Sequence, residues 1–532
     1  TGSVAYTLSN RRYGTHDLKG GAEVYVSTHT GGNAQSATDY VFQTDYLVVG
    51  GLPALDSRQV PIPVFTPGVS RVQNWLATPG AKTDITTTSL YIQDHWIPTT
   101  ALTLTLGTRF EAVRGSATGD IVTVDTTTIV PRLGASYDLR RDGRTVLQAT
   151  YAHYAGKYNE AQFGANTVVG NPSRITWAYA GPAGQGMNFA PGLDPKNYTT
   201  FVNATFPTAN IFVAPGLSSP TARELTLSLG QELGNRSFVK VGYTRRTWHN
   251  FVEDFTNLSN GLTTPTRNGV STPTVTNVVF RNANGVDTRE YEGVTLQSGY
   301  RFRGNLQIGG HYTLQIRNNG TFAGEAANQP GSSPVYQDFP EVWGPAIGRY
   351  QPDGRLFDYQ RHKLRVFGFY NPDFGRIGSF SLGPIWRVNS ATVFSYIASG
   401  YPITAIELAR NPGYPDINAA NSQNLYFGQR GAGTFKGYGL LDFSATYNVP
   451  VWRSAKPWVK ADIFNVLNNR KQIAWDTTVT ADPNSPLDAN GLPTGYVPGP
   501  RFGQATNDNQ FPQPFPGQNG GRAFRLSIGV RF

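Results

Sequence analysis

Arg522–Phe532 reads RAFRLSIGVRF, and its spacing decides the fold. Phe524, Leu526, Ile528, Val530 and Phe532 are apolar at every second position, with Ala523, Arg525, Ser527, Gly529 and Arg531 between them small, polar or charged. A period of two is that of a β-strand, whose successive side chains point to opposite faces. The segment predicts a strand with one oily face and one wet face.

The same alternation recurs up the chain. Leu102, Leu104, Leu106 and Phe110 stand opposite Thr103, Thr105, Arg109 and Glu111. Leu225, Leu227, Leu229 and Leu233 oppose Thr226, Ser228, Gly230 and Glu232, and Val294, Leu296, Tyr300 and Phe302 oppose Thr295, Gln297, Arg301 and Arg303. Leu441, Phe443, Tyr447 and Val449 oppose Asp442, Ser444, Thr446 and Asn448. Each run is near the roughly 9–11 residues with which a tilted strand crosses a bilayer. The pattern predicts about 16–20 such strands.

Composition agrees. In 532 residues there are 59 Gly, 27 Tyr and 30 Phe but one Met, a mixture suited to strands, turns and aromatic girdles. Mean hydropathy is −0.34 and no run of 18 apolar residues occurs, so the chain has no candidate transmembrane helix. A barrel crosses with alternating strands and keeps its average hydropathy low. The chain has no cysteine, which excludes disulfides, thiolate catalysis and Cys-based zinc sites. The formal charge is +10, yet the cations are scattered and several fall on the polar faces of strands, so nucleic acid is not an expected partner. The first residues, TGSVAYTLSNRRYG, show no charged segment followed by an apolar one, and the chain is expected to be a mature or partial form.

Connections are of two kinds. Arg140-Arg141-Asp142-Gly143, Gly234-Asn235 and Arg303-Gly304-Asn305 are tight turns. Stretches near 156–220, 317–354, 409–435 and 468–520 are long and rich in Gly, Pro, Asn and Ser. Short periplasmic turns alternating with long extracellular loops explain both. Aromatics near strand ends (Tyr91 and Trp96, Trp248 and Phe251, Trp452 and Trp458) are expected in interfacial girdles.

Several strings carry a family resemblance. YIQDHWIPTTALTLTLGTRFE (Tyr91–Glu111) resembles a hairpin frequent in TonB-dependent outer-membrane transporters, a Y-x-Q-D-x-W strand leading into L-T-L-x-x-G-x-R-x-E. FDYQRHKLRVFGFY (Phe357–Tyr370) resembles their D-x-x-H-x-L strand. YGLLDFSATYNVP followed by WVKADIFNVLNNR resembles the penultimate hairpin with its F-N-x-x-N ending, and the aromatic-terminated last strand resembles the closing strand read by the barrel-assembly machinery. The order of these strings is most similar to Oar-like transporters, which carry a carboxypeptidase-regulatory-like domain before the plug.

The resemblance implies an all-β, large antiparallel transmembrane barrel of roughly 22 strands in complete form, set in outer-membrane lipid of a Gram-negative cell. It implies energised uptake of a scarce solute of unknown identity, through a plug coupled to the TonB complex. No TonB box or plug is visible, and THDLKGGAEVY (Thr15–Tyr25) is similar to a strand that follows earlier barrel strands in the family. Residues 1–532 are therefore expected to be the barrel portion of a longer protein. A passive porin-like channel and a surface adhesin or structural barrel are the alternative readings.

Lumen-facing candidates toward substrate or plug are Arg109, Arg301, Arg303, Arg525 and Arg531. The closure signal is assigned to Phe524, Leu526, Ile528, Val530 and Phe532. No catalytic residue, cofactor or metal site is expected: GQRGAGTFKG (Gly428–Gly437) lacks the Gly-Lys-Ser/Thr of a P-loop, and no G-x-S-x-G or H-E-x-x-H occurs. His95 and His362 have no second ligand at motif spacing and are expected in lumen or interface. Glu253-Asp254 is expected to be a solvated strand end, and Asp482, Asp488 and Asn490 match no EF-hand.

Overall fold

The structure is a computed structural model. It describes the chain apart from residue 34, stretches within 157–171, 207–208, 257–260, 284–287, 303–304, 322–351 except Arg349, 403, 407–421, 451–454, 514–519 and 532. Its body is one sheet of 15 strands, each hydrogen-bonded to its neighbours in chain order. In order these are β1 (Gly2–Asn10), β2 (Gly14–Gly31), β3 (Ala81–Thr99), β4 (Leu102–Ala117), β5 (Ile121–Asp138), β6 (Thr145–Ala155), β7 (Thr221–Leu233) and β8 (Ser237–His249). They continue as β9 (Arg289–Arg301), β10 (Leu306–Asn319), β11 (His362–Tyr370), β12 (Ser379–Asn389), β13 (Tyr438–Asn448), β14 (Lys456–Phe464) and β15 (Ala523–Arg531). Every pairing is antiparallel. Fifteen is one below the expected range. Other strands, such as Arg71–Leu76, Ser173–Tyr179 and Tyr198–Thr205, belong to a separate four-stranded loop sheet.

Register carries one face unbroken through the wall. His95 of β3 stands beside Thr105, then Gly134, Thr150, Thr226 and Thr244 in successive strands. The next row over, Trp96, Leu104, Ala135, Ala149, Leu227 and Tyr243, points the other way. Hydroxyl, amide and charged groups thus line the concave side, and apolar groups cover the convex side. On β15, Phe524, Leu526 and Ile528 are 71%, 73% and 76% exposed. A soluble monomer rarely leaves so continuous an apolar surface uncovered. The convex apolar band stops at a polar border formed by Arg114–Asp125, Arg223, Arg245 and Arg317–Glu290. From the turns to that border is on the order of ten residues, a bilayer's hydrocarbon core for a tilted strand.

Connections 11–13, 100–101, 139–144, 234–236, 302–305, 371–378 and 449–455 fall on one rim. Connections 32–80, 118–120, 156–220, 250–288, 320–361, 390–437 and 465–522 fall on the other. The stretches 32–80 and 250–288 are long loops that composition alone did not mark. The loops have their own cores. Loops 32–80 and 156–220 share the sheet of Tyr40–Gln43, Arg71–Leu76, Ser173–Tyr179 and Tyr198–Thr205 over Phe65, Val72, Tyr179 and Tyr198. Tyr158, Leu217, Val252 and Phe280 pack onto Ile85, Val113 and Val124 at the upper ends of β3–β5, which seats loop residues on the barrel mouth.

The aromatic girdle differs from the expected one. Trp96 faces outward, but Tyr91, Trp248 and Trp458 share the lumen register of His95, Thr244 and Lys460, Phe251 is buried, and Trp452 lies outside the described residues. The outward belt at the short-turn rim is Trp96 with Tyr137, Tyr300, Tyr370 and Tyr447. Nearness to a strand end does not fix side; register does.

A hydrogen-bonded polar pair interrupts the oily face. His16 Nδ1 lies 2.7 Å from Asp94 Oδ2, in the register of Leu18 and Leu106, and the imidazole stacks on Trp96 at 5.1 Å. The indole N–H of Trp96 donates to the Tyr13 carbonyl at 2.7 Å, which anchors the pair at the short-turn rim. His16→Leu is expected to cost about 1–3 kcal/mol, the loss of a hydrogen bond that leaves the Asp94 carboxylate without its partner. Adding Asp94→Leu should restore most of it. Urea unfolding in lipid vesicles measures both; a double variant weaker than the single would show that the pair is not the issue.

Candidate functional site

The concave wall is the site. Of the expected lumen residues, Arg109 faces inward and is fully engaged: Nε donates to Glu111 at 2.6 Å, and Nη2 to Glu23 at 3.0 Å and Ser89 at 2.8 Å. Arg525 donates to Asp462 at 2.8 Å, and Lys460 flanks the same carboxylate at 3.2 Å. Arg531 stacks over Trp458 at 5.9 Å. Arg301 stands at the short-turn end beside Arg236. Arg303 and Phe532 lie outside the described residues. These arginines are spread around and along the wall and form no common centre. The structure pairs Arg109 and Arg525 with wall carboxylates rather than leaving them free.

A group that sequence reading missed does converge. Glu224, Arg246, Trp248, Arg289, Asp358 and Lys363 come from β7, β8, β9, the approach to β11 and β11 itself, and line a recess of about 530 Å³ near the long-loop mouth. Arg289 lies 4.8 Å and Arg246 5.6 Å from the Trp248 ring centre, so one indole is flanked by two guanidinium groups. Each cation also has a carboxylate: Arg246 Nε donates to Glu224 at 2.7 Å, and Arg289 reaches Asp358 at 3.5 Å. Asn318 Nδ2 donates to Asp358 at 2.7 Å and fixes it. The Nε of Arg289 and the Oδ1 of Asn318 are buried without a partner in the described structure. Such a recess suits a ligand with an anionic or planar polar group, which guanidinium forks and an aromatic face can hold together. Asp358 was quoted in the D-x-x-H-x-L string. Its link to Trp248 spans more than a hundred positions and needs the register of four strands, β8 to β11.

His95 faces the lumen and contacts Thr105 at 3.4 Å; His362 faces outward, 2.6 Å from the Tyr312 hydroxyl. Neither meets a second ligand, and no group of His, Asp and Glu able to hold a metal occurs among the described residues. Glu253 and Asp254 lie on the loop strand Val252–Thr256, with side chains outside the described set. Asp488 is a loop brace: Arg349 donates to it at 2.8 Å. Burial works against its charge, but the Arg349 guanidinium and the Leu492 and Asn490 N–H groups outweigh this and hold the carboxyl below the usual range.

The F-N-x-x-N ending has a positional role. Asn465 and Asn468 adopt φ of 52° and 49°, a region Asn tolerates better than most residues. Fully buried Asn465 donates its backbone N–H to Asp442 at 2.8 Å and exchanges hydrogen bonds with Asn469. Asp442 in turn accepts from Arg387 at 2.5 Å. The network turns the chain from β14 into the last loop while neutralising the wall carboxylate.

The lower wall is oilier. Phe238, Phe367 and Phe369 line a recess with Arg236 and Arg301 at the short-turn end, on the inner face.

No model of a known protein family matches the chain, and no curated protein matches it. Solved structures do. The chain is similar to the outer membrane transporter YddB from Escherichia coli, with a TM-score of 0.54 at 12% identity, over 99% of this chain and 53% of that one. BauA, the ferric preacinetobactin receptor of Acinetobacter baumannii, gives 0.45 at 12% identity over 99% and 52%, and the siderophore receptor PiuA of the same organism 0.44 at 11% over 99% and 55%. The chain therefore has the fold of a large outer-membrane β-barrel, and it spans about half the length of the structures it matches.

Proposed function

We propose that this chain is the barrel wall of an energised, TonB-dependent outer-membrane transporter that takes up a scarce solute. The observation that carries the reading is the wall itself: a convex apolar band about one bilayer high around a concave face of hydroxyls and paired charges. The Phe238–Phe367–Phe369 patch is apolar inner-wall surface of the kind a folded plug would cover, whereas the interior of an open porin is polar, and this favours the plugged reading. The recess around Trp248 is the first wall site a solute would meet below the loops. The Oar-like assignment rests on the order of the strand motifs.

Strand direction supports the expectation that the complete barrel has strands outside this numbering. Among the described residues β1 and β15 each pair on one side only, and both run from the long-loop rim to the short-turn rim. Joined directly they would be parallel. An all-antiparallel closure takes an odd number of further strands, which brings the total to an even one.

The chain has no cysteine, so single-cysteine variants report cleanly on topology. In intact cells an impermeant maleimide should label Lys196→Cys, on a long loop, and should reach Asn235→Cys, on a short turn, only after the outer membrane is permeabilised. Equal labelling of both in intact cells would overturn the placement.

A further inference from the structure

We propose that the short-turn rim is a cationic collar that binds anionic phospholipid head groups of the adjoining leaflet. The inference rests on the membrane reading above. Arg11 and Arg12 occupy the β1–β2 turn, Arg140, Arg141 and Arg144 the β5–β6 turn, and Arg236 the β7–β8 turn; Arg376 adds a further cation between β11 and β12. All are exposed, and none makes an ion pair among the described residues.

The opposite rim is mixed: it carries matched pairs, as in Arg58–Asp56, Lys82–Asp84, Arg349–Asp488 and Arg501–Asp476, beside cations dispersed over separate loops with no ion pair among the described residues, such as Arg71, Lys196 and Arg267. At the short-turn rim most of the carboxylates serve turn geometry: Asp138 accepts the N–H groups of Arg140, Arg141 and Gly143, Asp142 that of Arg144, and Asp373 that of Gly375, while exposed Glu232 is outnumbered by the arginines around it. Exposed guanidinium groups with no carboxylate partner among the described residues are left at one level of the barrel.

What surrounds them identifies the partner as lipid. The Arg12 guanidinium sits 5.4 Å over the ring of Tyr13, whose carbonyl is held by Trp96 of the outward belt. Phe374 and Ile377 are 55% and 68% exposed on either side of Arg376. Apolar pegs and amphipathic rings interleaved with cations match the head-group level of a bilayer, where apolar stems sink and charges meet phosphate. An acidic protein surface would match the cations and leave the pegs wet.

The test uses the whole chain in nanodiscs of phosphatidylcholine with or without cardiolipin. Native mass spectrometry then counts the cardiolipin retained after release into mild detergent, and heat unfolding is followed in the discs. Wild type should retain cardiolipin and unfold at higher temperature with it. Replacing Arg11, Arg12, Arg140 and Arg144 with Gln should lower retention by about fivefold per arginine and abolish the thermal shift. Removing Arg71, Lys196 and Arg267 from the long loops should change neither. High salt should strip cardiolipin from wild type, a check independent of any variant. Insertion into both kinds of disc with equal retention by wild type and collar variant overturns the collar and leaves the barrel reading standing. Equal loss in the long-loop variant overturns it too, and failure to insert into either disc sinks the membrane reading itself. An acidic protein partner would also leave wild type and collar variant equal.

Discussion

Leu227→Arg is expected to lower the stability of the inserted barrel by about 2–4 kcal/mol, the cost of a guanidinium on the lipid face at the bilayer midplane. Leu227 lies on β7 between the turn after Leu233 and the polar border at Arg223, and its register partners Ala149 and Tyr243 are outward too. Leu104→Arg, two positions from its turn and beside Trp96, should cost less, because the penalty falls toward the interfaces. Ser228→Arg, one residue along from Leu227, meets Gln148 and Lys240 on the lumen wall and should cost well under half as much. Three variants thus test side and depth together. Urea unfolding from vesicles gives the numbers. Equal costs for Leu227 and Ser228 would refute the two faces, and equal costs for Leu227 and Leu104 would refute the position of the midplane.

Side was readable from sequence because a strand's period is two and one face is greasy: Leu225, Leu227 and Leu229 need no structure to be put on one side. Position along the strand was not. Tyr91, Trp248 and Trp458 are near strand ends, as a girdle requires, but an odd or even offset decides whether a ring meets lipid or lumen, and bulges such as that between Leu102 and Leu104 shift the count. The recess around Trp248 was hidden for a related reason. Its members are single residues from separate strands, joined only by a register that turn lengths and bulges set. Loops 32–80 and 250–288 escaped notice because they hold short strands of their own. Tyr40–Gln43 and Arg71–Leu76 are strands that pair with each other in a loop sheet rather than in the wall. Charge had a similar blind spot. A net +10 looks evenly scattered along the sequence, whereas antiparallel folding returns the arginines of successive turns to one rim.

Deleting residues 523–532 is expected to abolish membrane insertion and the heat-resistant form altogether. β15 meets β14 along nine register pairs, from Phe464–Ala523 to Lys456–Arg531. Without it the N–H and C=O groups of β14 that face β15 have no partner, and hydrocarbon supplies none, at several kcal/mol for each group. The side chains lose as well. Asp462, 4% exposed, would keep Lys460 but lose the Arg525 guanidinium now 2.7 Å away. The two losses can be separated. Arg525→Gln keeps the backbone ladder and removes one ion pair, and should insert normally with a modest drop in stability, because Lys460 stays 3.2 Å from the Asp462 carboxylate and still neutralises it. Truncation removes both and should leave only aggregated or degraded chain. Two assays of cell membranes, resistance to extraction by urea and the shift in gel mobility on heating, distinguish the outcomes. Normal insertion of the truncated chain would mean that β15 is an edge the barrel can do without, and that closure is made by strands other than the one the aromatic ending marks.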